Sequence, residues 1–183
     1  MSQLILSKYK SNRMKVLMLF VSLLISSVVF AQTPEEKLAT LKITLPEVPP
    51  AIGSYVDVRR VGNLLYLSGK GPRNANGEYT TGKLGQELTV QQGYDAARLT
   101  AMNQLAVLKK ELGSLNKVKQ IVKVNGYVNC TAAFSEQPKV INGFSDLLIQ
   151  VFDEQGRHAR TALGTNALPM NMAVEVEMIV EVE

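Results

Sequence analysis

The last twelve residues alternate so regularly that they constrain the fold more than any other segment. One side of the predicted strand 172–183 is apolar and carries Val174, Val176, Met178, Val180 and Val182. The other side mixes apolar and acidic residues, namely Ala173, Glu175, Glu177, Ile179 and Glu181. Because successive side chains of a strand point to opposite faces, this pattern predicts a sheet with one buried and one half-polar face. We expect identical subunits in a closed ring to cover the half-polar face.

The remaining elements predict an α+β fold, with two helices packed on one face of a single sheet. The predicted strands cover residues 55–59, 64–68, 119–129, 160–165 and 172–183. The predicted helices run from the cap residue Thr89 to Gly113 and from Pro138 to Gly156, each with apolar residues at helical spacing. Residues 32–50 form a lead-in segment, in which Thr33 and Glu36 predict the capping box of a short helix. The domain proper covers residues 51–183.

The first 31 residues have the pattern of a secretory signal peptide. A basic region is followed by an apolar run over residues 16–30, and Val29 and Ala31 occupy the small-residue positions of a cleavage site. Met14 is an alternative start, since the signal is complete from there. A membrane anchor is the rival interpretation, but the run is short for a full span. We expect export, to a bacterial periplasm or the exterior, and no membrane association after cleavage.

Removal of this segment changes the charge of the protein. It holds four of the 20 basic residues and none of the 16 acidic ones, so the remainder carries 16 of each. A neutral domain lacks the broad positive surface of nucleic-acid-binding proteins, and we expect no nucleic-acid partner. With one cysteine, Cys130, and one histidine, His158, the chain offers little for a transition-metal site. Cys130 is expected to be a small buried side chain.

Two stretches and several later positions carry a resemblance to a known family. The stretches are AIGSYV, beginning at Ala51, and GNLLYLSGKGP, beginning at Gly62. The later positions are Asn142, Ala159 with Arg160, Leu168 with Pro169, and the Val-Glu alternation from Val174. In this order they resemble the RidA/YjgF family, also named endoribonuclease L-PSP and translation initiation inhibitor, over residues 49–183.

The resemblance implies a chorismate-mutase-like fold, assembled as a homotrimer with ligand clefts between subunits. It also implies hydrolysis of reactive 2-imino or enamine acids to 2-keto acids and ammonia, with no cofactor and no metal. By resemblance Arg160 binds the substrate carboxylate. Tyr55, Asn142 and Glu175 match further cleft positions, and Ser68 and Gly69 line the cleft.

The chemistry of these side chains suits those roles. An arginine fork meets a carboxylate with two parallel hydrogen bonds and so fixes the plane of a 2-imino acid. Glu175 can take a proton from the attacking water and return it to the leaving ammonia if partial burial raises its pKa. The Tyr55 hydroxyl and the Asn142 amide can hold the water or the imine nitrogen. We expect the short link 165–171 to bring Arg160 and Glu175 to one cleft.

Simpler interpretations stay open for each residue. Arg160 can be a solvated charge, and Glu175 alternates as a solvent-facing strand position does. The chain also departs from many imine-hydrolysing relatives, which carry a Cys where Ala162 stands and a shorter segment than 73–88; this indicates a divergent, exported subgroup. The alternatives to imine hydrolysis are a non-catalytic module that binds small 2-keto or other carboxylates and, least favoured, an endoribonuclease.

Overall fold

The computed structural model describes residues 32–50 and 53–183 as one unit of three α-helices and five strands. The helices are α1 (Pro34–Thr40), α2 (Val90–Leu112) and α3 (Gln137–Phe152). The strands are β1 (Val58–Val61), β2 (Leu64–Lys70), β3 (Val118–Asn129), β4 (Ala159–Thr165) and β5 (Val174–Val182). The predicted signal peptide, residues 1–31, lies outside the described residues and stays a prediction. Within the described ranges, no helix combines the length and apolar character that a bilayer crossing requires.

The strands form one mixed sheet in the order β1-β2-β5-β3-β4. Neighbouring strands are antiparallel except for β3 and β4, which run parallel. A parallel pair needs a long crossover, and α3 supplies it. The predicted α+β class with a single sheet is confirmed. The last two strands in the chain are not neighbours, because β3 lies between β4 and β5.

The helix-covered face of the sheet holds the core. The five apolar residues that alternate along β5 are all buried, whereas Glu175, Glu177, Ile179 and Glu181 on its other side are partly exposed. α2 and α3 cover the first side with fully buried side chains, which include Leu105, Leu108, Ile141, Phe144, Leu147 and Leu148. The alternation along β5 therefore correctly predicted which side of the strand is buried. Cys130 is buried and unpaired among the core residues, as predicted.

The predicted helix caps are present. The Thr89 hydroxyl accepts the Gln92 N–H while the Gln92 side chain accepts the Thr89 N–H, and Gly113 ends α2 in the left-handed region at φ 77°. Only glycine adopts that conformation without strain. Thr33 and Glu36 form the same reciprocal pair at the start of α1. α1 is held to the domain through an ion pair between Lys37 and Asp153.

Several predicted boundaries differ from the observed ones by one or two residues, and two differ by more. The first strand begins at Val58 rather than at residue 55. The residues just before it are joined to β2 by two hydrogen bonds from Ser68 rather than by a regular strand pairing. The Ser68 hydroxyl donates to the Val56 carbonyl, and the Ser68 N–H donates to the Asp57 carbonyl. The second long helix ends at Phe152 rather than Gly156. Asp153 adopts φ 52° and ψ −129°, which no α-helix continues, and a 3-10 turn follows.

Candidate active site

Arg160 lies on the edge strand β4 with its side chain on the helix-covered face. Its cross-strand partner Val124 is buried there, and the guanidinium reaches α3. Nη1 donates to Asn142 Oδ1 at 2.8 Å and to Ser145 Oγ at 3.1 Å, and Nη2 lies 3.5 Å from the Pro138 carbonyl. Among the described residues, no carboxylate lies within ion-pair distance of Arg160. The structure thus holds a positive charge in place with neutral oxygens.

His158, the only histidine of the chain, contacts Ser145, one of the residues that hold the Arg160 guanidinium. His158 Nε2 lies 3.0 Å from Ser145 Oγ, and His158 Nδ1 lies 2.7 Å from the Gly156 carbonyl. Burial lowers the pKa of His158, the positive charge of Arg160 lowers it further, and the Gly156 carbonyl partly opposes both. The ring is therefore neutral at pH 7, and it adds no charge beside the guanidinium.

Glu175 lies on the opposite, open face of the sheet. Burial raises the pKa of this carboxyl and the negative charge of Glu177 raises it further, while Lys70 acts in the other direction. The carboxylate packs directly on Gly69, where a Cβ would overlap its Oε1. Glycine at 69 thus permits this close approach without displacing the carboxylate, and Glu175 is a half-buried acid whose pKa is raised by burial and by Glu177.

The neighbours of Glu175 extend this open-face group. Glu177 accepts hydrogen bonds from Asn125 Nδ2 at 3.0 Å and from the Tyr127 hydroxyl at 3.3 Å. A shallow groove nearby is lined by Tyr55, Ser68 and Glu177, among others. Tyr55 is 48% exposed, so its hydroxyl can reach a ligand in this groove. The Ser68 hydroxyl already donates to the Val56 carbonyl and can only accept from a ligand.

The six predicted site residues therefore form two groups. Tyr55, Ser68, Gly69 and Glu175 belong to the open face at β2 and β5, and Asn142 and Arg160 belong to the helix side of the β4 edge. Contrary to the expectation from the short link 165–171, one chain does not bring Arg160 and Glu175 together. The reason is twofold: β3 separates their strands, and their registers place the side chains on opposite faces.

Sequence reasoning placed neither Ser145 nor His158 among the site residues. One available signal was the spacing of Pro138, Asn142 and Ser145, which puts all three on one side of a helix. Tyr127 was also missed as a neighbour of Glu175, because its position depends on the register between β3 and β5. Within residues 32–50 and 53–183, no cluster of three His, Cys, Asp or Glu side chains has a metal-binding arrangement.

Comparison with known proteins agrees with the motifs. The sequence profile of the family described as YjgF/chorismate mutase-like, putative endoribonuclease, matches residues 35–182. The chain is 42% identical over 156 residues to Protein TCP17 of Trypanosoma cruzi, a match that covers 85% of this chain and 98% of that protein. It is 32% identical over 142 residues to a 2-iminobutanoate/2-iminopropanoate deaminase of Dermatophagoides farinae, covering 77% and 95% respectively.

The fold agrees with a solved structure as well. A putative endoribonuclease from Shewanella oneidensis superposes with a TM-score of 0.79 at 38% identity, over 82% of this chain and 100% of that one. The single mixed sheet with helices on one face is thus the YjgF/chorismate-mutase-like fold that the sequence predicted. From its profile match, its relatives and its fold, the chain belongs to the RidA/YjgF family.

Proposed function

We propose that the protein hydrolyses reactive 2-imino and enamine acids to 2-keto acids and ammonia. The observation that carries this proposal is the Arg160 guanidinium, which neutral oxygens hold in place and which pairs with no carboxylate of residues 32–50 or 53–183. A partly exposed cation that is oriented but not neutralised suits a small anionic ligand, and the planar fork suits a carboxylate. The family relative named as an imine deaminase supports the same reaction class.

Glu175 is the proton carrier in this proposal. Its ionised carboxylate takes a proton from water as the oxygen attacks the imine carbon and passes it to the nitrogen, which gives a carbinolamine. It then takes the hydroxyl proton of that intermediate and passes it to the same nitrogen, so that the C–N bond breaks, ammonia leaves and the C=O bond of the 2-keto acid forms. The raised pKa of Glu175 brings its two protonation states closer in population at neutral pH, which favours a group that must both accept and donate. Activity should fall as the pH drops below this raised pKa, because the base is then protonated.

The complete cleft requires a second copy of the chain. Within one subunit the Arg160 group and the Glu175 group face opposite sides of the sheet, so neither can reach a substrate bound at the other. The open face also exposes Tyr66 and Leu163, 43% and 54% respectively, which favours burial against another subunit. We propose a homotrimer in which the Arg160 group of one subunit faces the Glu175 group of its neighbour.

A coupled assay tests this reaction. An amino-acid oxidase generates the 2-imino acid in situ, and the release of 2-keto acid is followed with and without the protein from residue 32 onward. We expect acceleration that Arg160→Ala reduces roughly 100-fold, the scale for losing a charged hydrogen-bonding partner. Arg157→Ala is the matched control, because Arg157 is an exposed arginine on the same segment that pairs with Glu154. No acceleration by the wild type, or equal rates for Arg160→Ala, would contradict the proposal.

The separation of the two groups favours one second candidate, a module that binds small 2-keto carboxylates without turnover. The Arg160 group alone can bind a carboxylate, even where no Glu175 is near. This candidate predicts a thermal stabilisation by 2-oxobutanoate that is absent in Arg160→Ala, together with no imine hydrolysis by the wild type.

A further inference from the structure

We infer that Ser145 and His158 are positioning residues that hold the Arg160 guanidinium so that its Nε–Nη2 edge meets the ligand carboxylate. The inference starts from the proposed carboxylate site and specifies how the chain presents the cation. It rests on a continuous set of hydrogen bonds from Arg160 through Ser145 and His158 to the Gly156 carbonyl.

The Gly156 carbonyl fixes the tautomer of His158. A carbonyl can only accept, so the nitrogen 2.7 Å from it, Nδ1, must carry the proton. In a neutral imidazole the other nitrogen, Nε2, is then an acceptor. Because His158 is partly buried and next to a guanidinium, the neutral form is the stable one. His158 therefore presents a lone pair, at a fixed position, to the Ser145 hydroxyl.

This lone pair fixes the direction of the Ser145 hydroxyl. A serine in a helix commonly donates its hydroxyl to the carbonyl one turn earlier. Here the hydroxyl of the buried Ser145 donates to His158 Nε2 at 3.0 Å, which leaves its oxygen lone pairs for Arg160 Nη1 at 3.1 Å. If Nε2 carried a proton, it would compete with Arg160 for those same lone pairs.

The consequence for the guanidinium follows from counting its N–H groups. Each Nη carries two and Nε carries one. Asn142 and Ser145 take both protons of Nη1, and Pro138 lies at the long distance of 3.5 Å from Nη2. Among the described residues, Nε makes no hydrogen bond. The Nε proton and the adjacent Nη2 proton thus remain as a parallel pair, which is the geometry that a carboxylate accepts with both oxygens.

The first test examines the hydrogen bonds with no ligand present. His158 is the only histidine in the chain, so the imidazole signals in a long-range ¹H–¹⁵N NMR spectrum need no assignment by mutation. We expect the neutral tautomer with the proton on Nδ1 at pH 7. Ser145→Ala should shift the Nε2 resonance, because that nitrogen loses its donor. A proton on Nε2, or an Nε2 signal that Ser145→Ala leaves unchanged, would overturn the inference.

The second test measures the dissociation constant of 2-oxobutanoate by titration calorimetry. Ser145→Ala should weaken binding about 10-fold, the scale for a hydrogen bond to a charged group. Tyr94→Phe is the matched control: it removes a 2.8 Å hydrogen bond to Asp146 of the same helix, and neither residue takes part in the hydrogen bonds of Arg160. Thermal unfolding shows that each variant is folded. Equal binding by Ser145→Ala and the wild type would overturn the inference.

Two substitutions of His158 separate positioning from mere packing. His158→Gln keeps an acceptor near the Nε2 position and should largely retain 2-oxobutanoate binding. His158→Asn keeps only a donor toward the Gly156 carbonyl and should weaken binding as Ser145→Ala does. If Gln and Asn weaken binding equally, the acceptor has no role and the inference fails. A wild type that does not bind 2-oxobutanoate would instead contradict the proposed function, while the NMR test would still report on the hydrogen bonds.

Discussion

The same five strands make both faces of the sheet, but the two faces differ in how completely their side chains are buried and their charges neutralised. The helix-covered face is packed with fully buried apolar residues. The open face carries half-buried carboxylates, tyrosines and exposed apolar residues, and its Glu175 has a raised pKa. Complete packing makes the first face the source of stability. On the second face, carboxylates whose charge is incompletely neutralised are available to exchange protons. Its exposed apolar side chains are available to contact other subunits, as proposed above.

The largest difference between the two faces should appear in how much a substitution lowers the free energy of unfolding. Phe144→Ala removes a fully buried ring from α3 and should lower the free energy of unfolding by about 3–5 kcal/mol. Tyr66→Ala, on the open face, should lower that of the dissociated subunit by less than about 1 kcal/mol. Urea unfolding followed by circular dichroism measures both values. Similar losses for the two variants would mean that the open face also stabilises the single subunit.

The next effect should appear in the rate of imine hydrolysis rather than in the free energy of unfolding. Glu175→Gln keeps the shape of the side chain beside Gly69 but cannot carry a proton, so imine hydrolysis should fall roughly 100-fold. Glu111→Gln, at the exposed end of α2, should retain the wild-type rate. The oxidase-coupled assay measures both. A fully active Glu175→Gln variant would contradict the proposal that a residue of the open face transfers the proton.

Subunit association should also depend on the open face. Leu163→Asp places a further carboxylate on the side of the sheet that holds Glu175, Glu177 and Glu181, and it should reduce the mass of the assembly to that of a monomer. Leu41→Asp is the control, because Leu41 is an exposed leucine just after α1 and away from the sheet. Sedimentation equilibrium gives the masses. An unchanged assembly for Leu163→Asp would place the subunit contacts elsewhere.

The smallest expected effect is on the pH dependence of stability. The pKa of Glu175 in the folded protein is raised above its ordinary value of 4.5. Between the two values the unfolded chain has released a proton that the folded protein still binds, so rising pH destabilises the wild type in this window. Glu175→Gln should escape this loss, and its stability relative to the wild type should increase with pH from 4.5 upward. Urea unfolding at several pH values measures the difference, and a pH-independent difference would contradict the raised pKa.

Much of the fold could be predicted because it depends on local patterns. The alternation of β5 gave the buried face, and Thr89 and Gly113 marked the ends of α2 correctly. The start of β1 and the end of α3 could not be read, because they depend on a Ser68 hydroxyl and on a positive φ at Asp153. Neither residue type signals such a boundary by itself.

The candidate site was predictable as a set of residues but not as an arrangement. The family motifs pointed to Arg160, Asn142 and Glu175. Their separation depends on β3 lying between β4 and β5, and their placement on opposite faces depends on the registers of those pairings, which join distant parts of the chain. Two strands joined by a short link are often neighbours, and here they are not. The contact between His158 and Ser145 likewise appears only once α3 has packed over β4.

The parallel pairing of β3 and β4 has a consequence for how such a protein can diversify. In the part of the chain that the structure describes, its crossover helix supplies both core residues and every oxygen that accepts a hydrogen bond from the Arg160 guanidinium. Variation in α3 therefore endangers folding and, under the proposed function, carboxylate binding at once, whereas β2 and β5 can acquire new outward-facing side chains at little structural risk. If Arg160 binds the substrate carboxylate as proposed, proteins of this architecture can acquire new reactions on carboxylate-bearing compounds while they keep the same binding residue.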